Sequence, residues 1–169
     1  MMKVIFLKKM IFLVISIIIG ILVFNKNKEI IIPSDAIRVR IIANSNSIND
    51  LYQKKKIKEE IKNDLYDLVK EANSNMEADQ NIKNNLNRIK ELVGNKINDF
   101  TINYGSNYFP KKVYKGVIYP EGNYQSLVIT LGKGLGDNWW CVLYPPLCMI
   151  DEDNISSNID YQLLIKKLL

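Results

Sequence analysis

Residues 100–131 read FTINYGSNYFPKKVYKGVIYPEGNYQSLVITL, and their two-residue period decides the fold class. Phe100, Ile102 and Tyr104 alternate with Thr101 and Asn103, the pattern of a strand with one buried face. A Gly-Ser-Asn turn is expected next, then KVYKGVIY between Pro110 and Pro120. SLVITL follows, with Leu127, Ile129 and Leu131 on one side. The region is a run of short strands punctuated by turn residues.

Upstream the period lengthens. Ile57, Ile61, Leu65, Leu68 and Ala72 recur at three- and four-residue steps, which predicts an amphipathic helix from Ser47 to about Glu71. SNME then opens a second helix, with Ser74 and Glu77 spaced as a capping box. Ile82, Leu86, Ile89 and Val93 form its apolar stripe, and Gly94 suits the position just past its end. Before the helices, AIRVRIIANS (36–45) alternates Ile37, Val39 and Ile41 against Arg38 and Arg40, a further strand with both arginines on one face. A solvent-facing pair and an anion or partner contact are both open readings of those arginines. A strand, two amphipathic helices and then consecutive strands predict α+β, with the helices on one face of a mainly antiparallel sheet.

The remaining segments frame that domain. MMKVIFLKKMIFLVISIIIGILVFNKNK (1–28) has a basic start and an uncharged run from Met10 to Phe24. With Lys8 and Lys9 reaching the interface, Val4 to Phe24 is long enough to span a bilayer. No small residues follow where a signal peptidase would cut, so an uncleaved signal-anchor is expected, with the body outside the cytoplasm. Residues 29–35, containing IIPSD, are expected to be a linker, and 36–151 the exported domain. The stretch 152–169 is a polar tail ending in an amphipathic YQLLIKKLL.

Composition excludes much. The net charge is +5, but five lysines and no acid fall in the first 28 residues, so the body is balanced and carries no polyanion footprint. Lys54, Lys55, Lys56 and Lys58 are followed at once by Glu59 and Glu60, which suits a solvated helix face. The chain has no histidine, which removes Ser-His and Cys-His nucleophile pairs, His bases and His metal ligands together. GKGLGD (132–137) lacks the Walker spacing and opens onto a strand-like segment, so it is expected to be a flexible turn rather than a phosphate loop. No cofactor, small-molecule substrate or nucleic acid is implied. Paired carboxylates such as Asp151 and Asp153 leave a carboxylate-based envelope hydrolase untested.

The chain's only tryptophans and cysteines lie in DNWWCVLYPPLC (137–148). Two cysteines without histidine fall short of a zinc set. Fully extended, Cys141 and Cys148 would stand about 23 Å apart, so a disulfide requires the chain to reverse, and Pro145-Pro146 is the place for it. Closing a loop of that length contributes about 2.5 kcal/mol; two buried, unpaired thiols are the alternative. Trp139 and Trp140, adjacent on a strand, point to opposite faces. One enters the core, and the other covers a second face or meets a partner.

GDNWWCVLYPPLC and AIRVRIIANS together resemble the stage II sporulation protein R family of endospore-forming bacteria. The likeness runs from about Ala36 to Asp151 and includes YFPKKVYKG and the YPEGNY turn; the family often has Phe at the position of Tyr144. The resemblance implies a non-enzymatic signal made in the forespore and exported into the space between the two membranes. There it would activate a membrane-embedded aspartic protease of the mother-cell side (stage II sporulation protein GA), which removes the pro-segment of the sigma-E precursor. It implies a partner-facing role for Asp137, Asn138, Trp139 and Trp140, with Arg38, Arg40 and Asn44 as a second set. Cys141, Pro145, Pro146 and Cys148 would hold the loop's shape.

Overall fold

The computed structural model describes residues 9–17, 30–149, 163 and 165–167. Residues 9–17 are helical; the rest of the expected signal-anchor lies outside the described residues. No helix among the described residues is long and apolar enough to cross a membrane. Most of the tail likewise lies outside them, but Ile165 is buried.

The body is α+β. Strands β1 (Ile30–Ile31) and β2 (Ile37–Ile42) precede helices α1 (Ile48–Val69), α2 (Asn75–Asn84) and α3 (Leu86–Gly94). Strands β3 (Phe100–Phe109), β4 (Lys112–Tyr114), β5 (Val117–Tyr119), β6 (Gly122–Leu131) and β7 (Asn138–Tyr144) follow. They form a four-stranded sheet of order β3-β6-β2-β7 and a small sheet of order β1-β5-β4.

Helix α1 starts where Ser47 Oγ accepts from the Asp50 N–H, and Asp50 places negative charge in the first turn. Ile57, Ile61, Leu65 and Val69 bury one stripe against the sheet. At Ser74 the cap is present, with Oγ accepting from Glu77 N–H at 3.2 Å, while the Glu77 carboxylate reaches back to Asn73 N–H at 2.8 Å. The expected second helix is interrupted. Asn85, at φ −109° and ψ 10°, divides it into α2 and α3, and its side-chain amide donates to the Asn81 carbonyl at 2.8 Å. Such back-bonding competes with the helix ladder. Ile82, Ile89 and Val93 still share one buried face.

The sheet differs from expectation in two ways. It is mixed, because β2 and β6 run parallel at its centre, with antiparallel neighbours outside them. An alternating pattern reports which face is buried, not the direction of the partner, and β6 inserts beside β2 from far along the chain. The expected Gly-Ser-Asn turn is instead strand: Gly105, Ser106 and Asn107 pair with Ser126, Gln125 and Tyr124. Asn107 Nδ2 donates to Ser126 Oγ at 3.0 Å, so a full-length partner strand overrides local turn preference. KVYKGVIY folds as a hairpin, turning at Lys115 (φ 47°) and Gly116 (φ 80°).

Within the stretch expected to be a linker, Ile30 and Ile31 pair with β5 and Ile32 is 1 % exposed. Ile32, Ala36, Val117, Val142, Leu147 and Ile165 make a second small core where the small sheet meets the end of β7.

Candidate functional site

Among the described residues, strand β7 is an edge of the large sheet, paired only with β2, in the register Ile41↔Trp139, Arg40↔Trp140 and Val39↔Cys141. This register separates the tryptophans. Trp139 packs half-buried against the main core on the helix side, where the Lys58 ammonium lies 5.5 Å from its ring centre. Trp140 shares the helix-free face with Arg38 and Arg40, its ring 5.9 Å from that of Phe109 in an edge arrangement.

Arg38 corrects the solvent-facing reading. It is 2 % exposed, with its guanidinium 4.1 Å from the Phe109 ring centre and 4.9 Å from that of Tyr124. Arg40 lies 5.1 Å from Phe109. Among the described residues neither arginine has an ion pair. Burial lowers the pKa of both from the ordinary arginine value, although Tyr124 and Tyr119 act the other way at Arg38. Both remain cations at neutral pH. The Nε groups of Arg38 and Arg40 and the indole Nε1 of Trp140 are buried without a hydrogen-bond partner. Cation–π contacts return about 2 kcal/mol each when desolvated, yet a buried charge without a counter-ion remains costly. The alternation of β2 predicted the shared face; nothing in its sequence indicated that β3, β6 and the small sheet would bury it.

A pocket of about 150 Å³ opens on this face, lined by Arg38, Lys112, Tyr114, Tyr119, Asn138 and Trp140 among others. Thus the structure brings Asn138, Trp140 and Arg38 together; Trp139 also contributes to the lining, although it packs against the main core on the helix side. Lys112, with its ammonium 5.5 Å from the Trp140 ring, is a rim residue that sequence reasoning missed. No signal in KKVYKG marked it, since the hairpin that carries it is brought to β7 only by the fold.

Asn44 and Asp137 belong to a different part of the molecule. Asn44 Oδ1 accepts from Lys133 N–H at 2.9 Å, and its amide donates to Asp50 at 3.0 Å. Asp137 N–H donates to Asn46 Oδ1 at 2.7 Å, and its carbonyl accepts from Lys54 at 2.8 Å. These bonds pin the 132–137 turn to residues 43–46, so the turn expected to be flexible is fastened at both ends. Glycine is needed there: Gly132 has φ +53°, and a Cβ on Gly136 would stand 2.3 Å from the Ser45 carbonyl oxygen.

At the other end of β7, Cys141 and Cys148 are joined by a disulfide with their Cα atoms 5.5 Å apart. The chain reverses at Pro145-Pro146 and enters a short 3-10 turn at Leu147–Met149. Cys148 packs into the main core, so the loop is anchored beneath the helices. Among the described residues no three of His, Cys, Asp and Glu stand close enough to hold a metal ion.

Comparison with known proteins decides the family. The family model "Stage II sporulation protein R" matches residues 33–154. The chain belongs to the stage II sporulation protein R family. It is similar to stage II sporulation protein R of Bacillus subtilis (strain 168), at 37 % identity over 136 residues. That match covers 77 % of this chain and 61 % of the Bacillus protein. No solved structure matches the chain. The family match therefore covers both β2 with its arginines and the whole Asn138–Cys148 block.

Proposed function

We propose that this member of the stage II sporulation protein R family is an exported signal, not an enzyme, made in the forespore. It acts on a membrane-embedded aspartic protease of the mother-cell side (stage II sporulation protein GA), whose cleavage of the sigma-E precursor follows. Its N-terminal segment anchors it to the membrane or releases it into the intermembrane space. The observation that carries this reading is the treatment of the Asn138–Cys148 block. It forms an edge strand braced by a disulfide at one end and a pinned turn at the other. A braced aromatic strand with the buried Arg38 and the half-buried Arg40 behind it suits recognition by a protein partner.

The test is reconstitution in a non-sporulating host that expresses this chain, its cognate protease and the sigma-E precursor. Precursor cleavage that requires this chain supports the proposal. Absence of cleavage while the protein is exported and folded overturns it and brings forward a carboxylate-based envelope hydrolase or a structural envelope protein. An inactivating Asp or Glu substitution that leaves the fold intact would then separate those two.

A further inference from the structure

We propose that the pocket on the helix-free face is a binding site for a carboxylate carried by a peptide, either an acidic side chain or a chain terminus. Among the described residues its lining includes two cations, Arg38 and Lys112, and no Asp or Glu. Arg38 is almost completely buried yet lines this opening, and both its Nε and the Trp140 Nε1 lack acceptors. Asn138, exposed at the mouth, adds an amide. The chemistry is one-sided, with donors and positive charge gathered where the described residues provide no counter-charge. An ionised carboxylate is the complementary group, since it is acceptor-only and takes several donors at once.

Shape narrows the class. The Arg38 guanidinium has the Phe109 and Tyr124 rings within cation–π distance, 4.1 and 4.9 Å from their centres. Aromatic contact uses the flat face of a guanidinium and leaves its N–H edge for acceptors; the Tyr124 side chain takes one of those hydrogen bonds, and Nε remains without a partner. Tyr114, Tyr119 and Trp140 line the same space. A cavity of about 150 Å³ is of the size that takes one benzene-sized group. That is room for one carboxylate and its short stem, not for a nucleotide or a lipid headgroup. An entering carboxylate would also offset the cost of holding Arg38 away from water. Nothing in this step depends on the signalling role: a pocket indifferent to carboxylates leaves that role standing, and a protein that activates no protease could still hold a carboxylate here.

The chain's two tryptophans make the test direct. The indole N–H resonances of the 15N-labelled full chain in neutral detergent are followed while acetyl-aspartate amide is added. Acetyl-asparagine amide, glutarate, sodium chloride and inorganic phosphate serve as comparisons at matched ionic strength. The expected result is a saturable shift of the Trp140 indole with the aspartate probe and none with its neutral asparagine counterpart. The response should weaken several-fold in Lys112→Gln, a change at an exposed position, and vanish in Arg38→Met. Glutarate as effective as the aspartate probe would identify a free small acid as an equally good source; a preference for the aspartate probe points to a peptide. No Trp140 shift, an equal shift with the asparagine probe, or a stronger one with phosphate would overturn the assignment.

Discussion

The two faces of the large sheet are built from alternate residues of the same strands, yet they follow different rules. On the helix side, Val39, Ile41, Leu127 and Ile129 meet Ile57, Ile61, Leu65 and Ile89 in a core that is apolar at its centre. On the other side, Arg38, Arg40, Phe109, Tyr124 and Trp140 form a charged aromatic layer with donors left over. The first face gains stability with each side chain buried, at about 25 cal/mol per Å² of apolar surface. The second gains less from the same burial, because it removes cations from water. A face that is retained at a cost to stability is where a role other than folding should be sought.

The contrast can be broken by substitution, and the largest effect should fall on the helix side. Leu127→Ala removes a fully buried side chain from the main core and should destabilise the protein by about 2–5 kcal/mol in urea unfolding. Next comes the disulfide, whose Cys148 packs into the same core. Cys141→Ala/Cys148→Ala should lose about 2.5 kcal/mol, and unchanged thermal stability under reductant would remove the disulfide from the account.

A smaller, pH-dependent effect belongs to the clamp between α2 and the sheet. Asp79 accepts from Tyr104 and Gln125, each at 2.8 Å, and pairs with Lys83. Burial works to raise the Asp79 pKa, but the hydrogen bonds from Lys83, Tyr104 and Gln125 outweigh it and hold the carboxyl below its ordinary 3.8. A depressed carboxylate contributes stability above its unfolded pKa and loses it as pH falls through the folded value. Acid titration of wild type should therefore lose, below about pH 4, a component that Asp79→Asn lacks.

The smallest change is also the most informative for the contrast. Arg38→Met replaces a buried cation with an apolar chain of similar length. It should alter stability by about 1 kcal/mol or less, or raise it. A loss of about 3 kcal/mol or more would mean that Arg38 is paired within the fold, and the two faces would then differ less than described.

Local pattern made part of this legible. Helix α1, the Ser74–Glu77 capping box, the stripe through Ile82, Ile89 and Val93, the opposed tryptophans and the shared face of Arg38 and Arg40 all follow from period and capping chemistry. What the pattern missed depends on partners distant in the chain. The continuation of β3 through Gly105 needs β6, the parallel β2–β6 ladder needs the order of strands, and the burial of Arg38 needs Phe109 and Tyr124. Asn44 illustrates the same limit: a candidate contact by motif, its side chain is occupied in fastening the 132–137 turn. Lys112 reaches the pocket through a hairpin whose position no local signal encodes.

The central claim is that the helix-free face is the working face, and the separated tryptophans allow one decisive comparison. Trp139→Leu and Trp140→Leu are placed in the reconstituted system, and precursor cleavage is measured at matched levels of exported, folded protein. The account predicts that Trp140→Leu abolishes cleavage whereas Trp139→Leu retains most of it. Full cleavage with Trp140→Leu, or loss confined to Trp139→Leu, would contradict it.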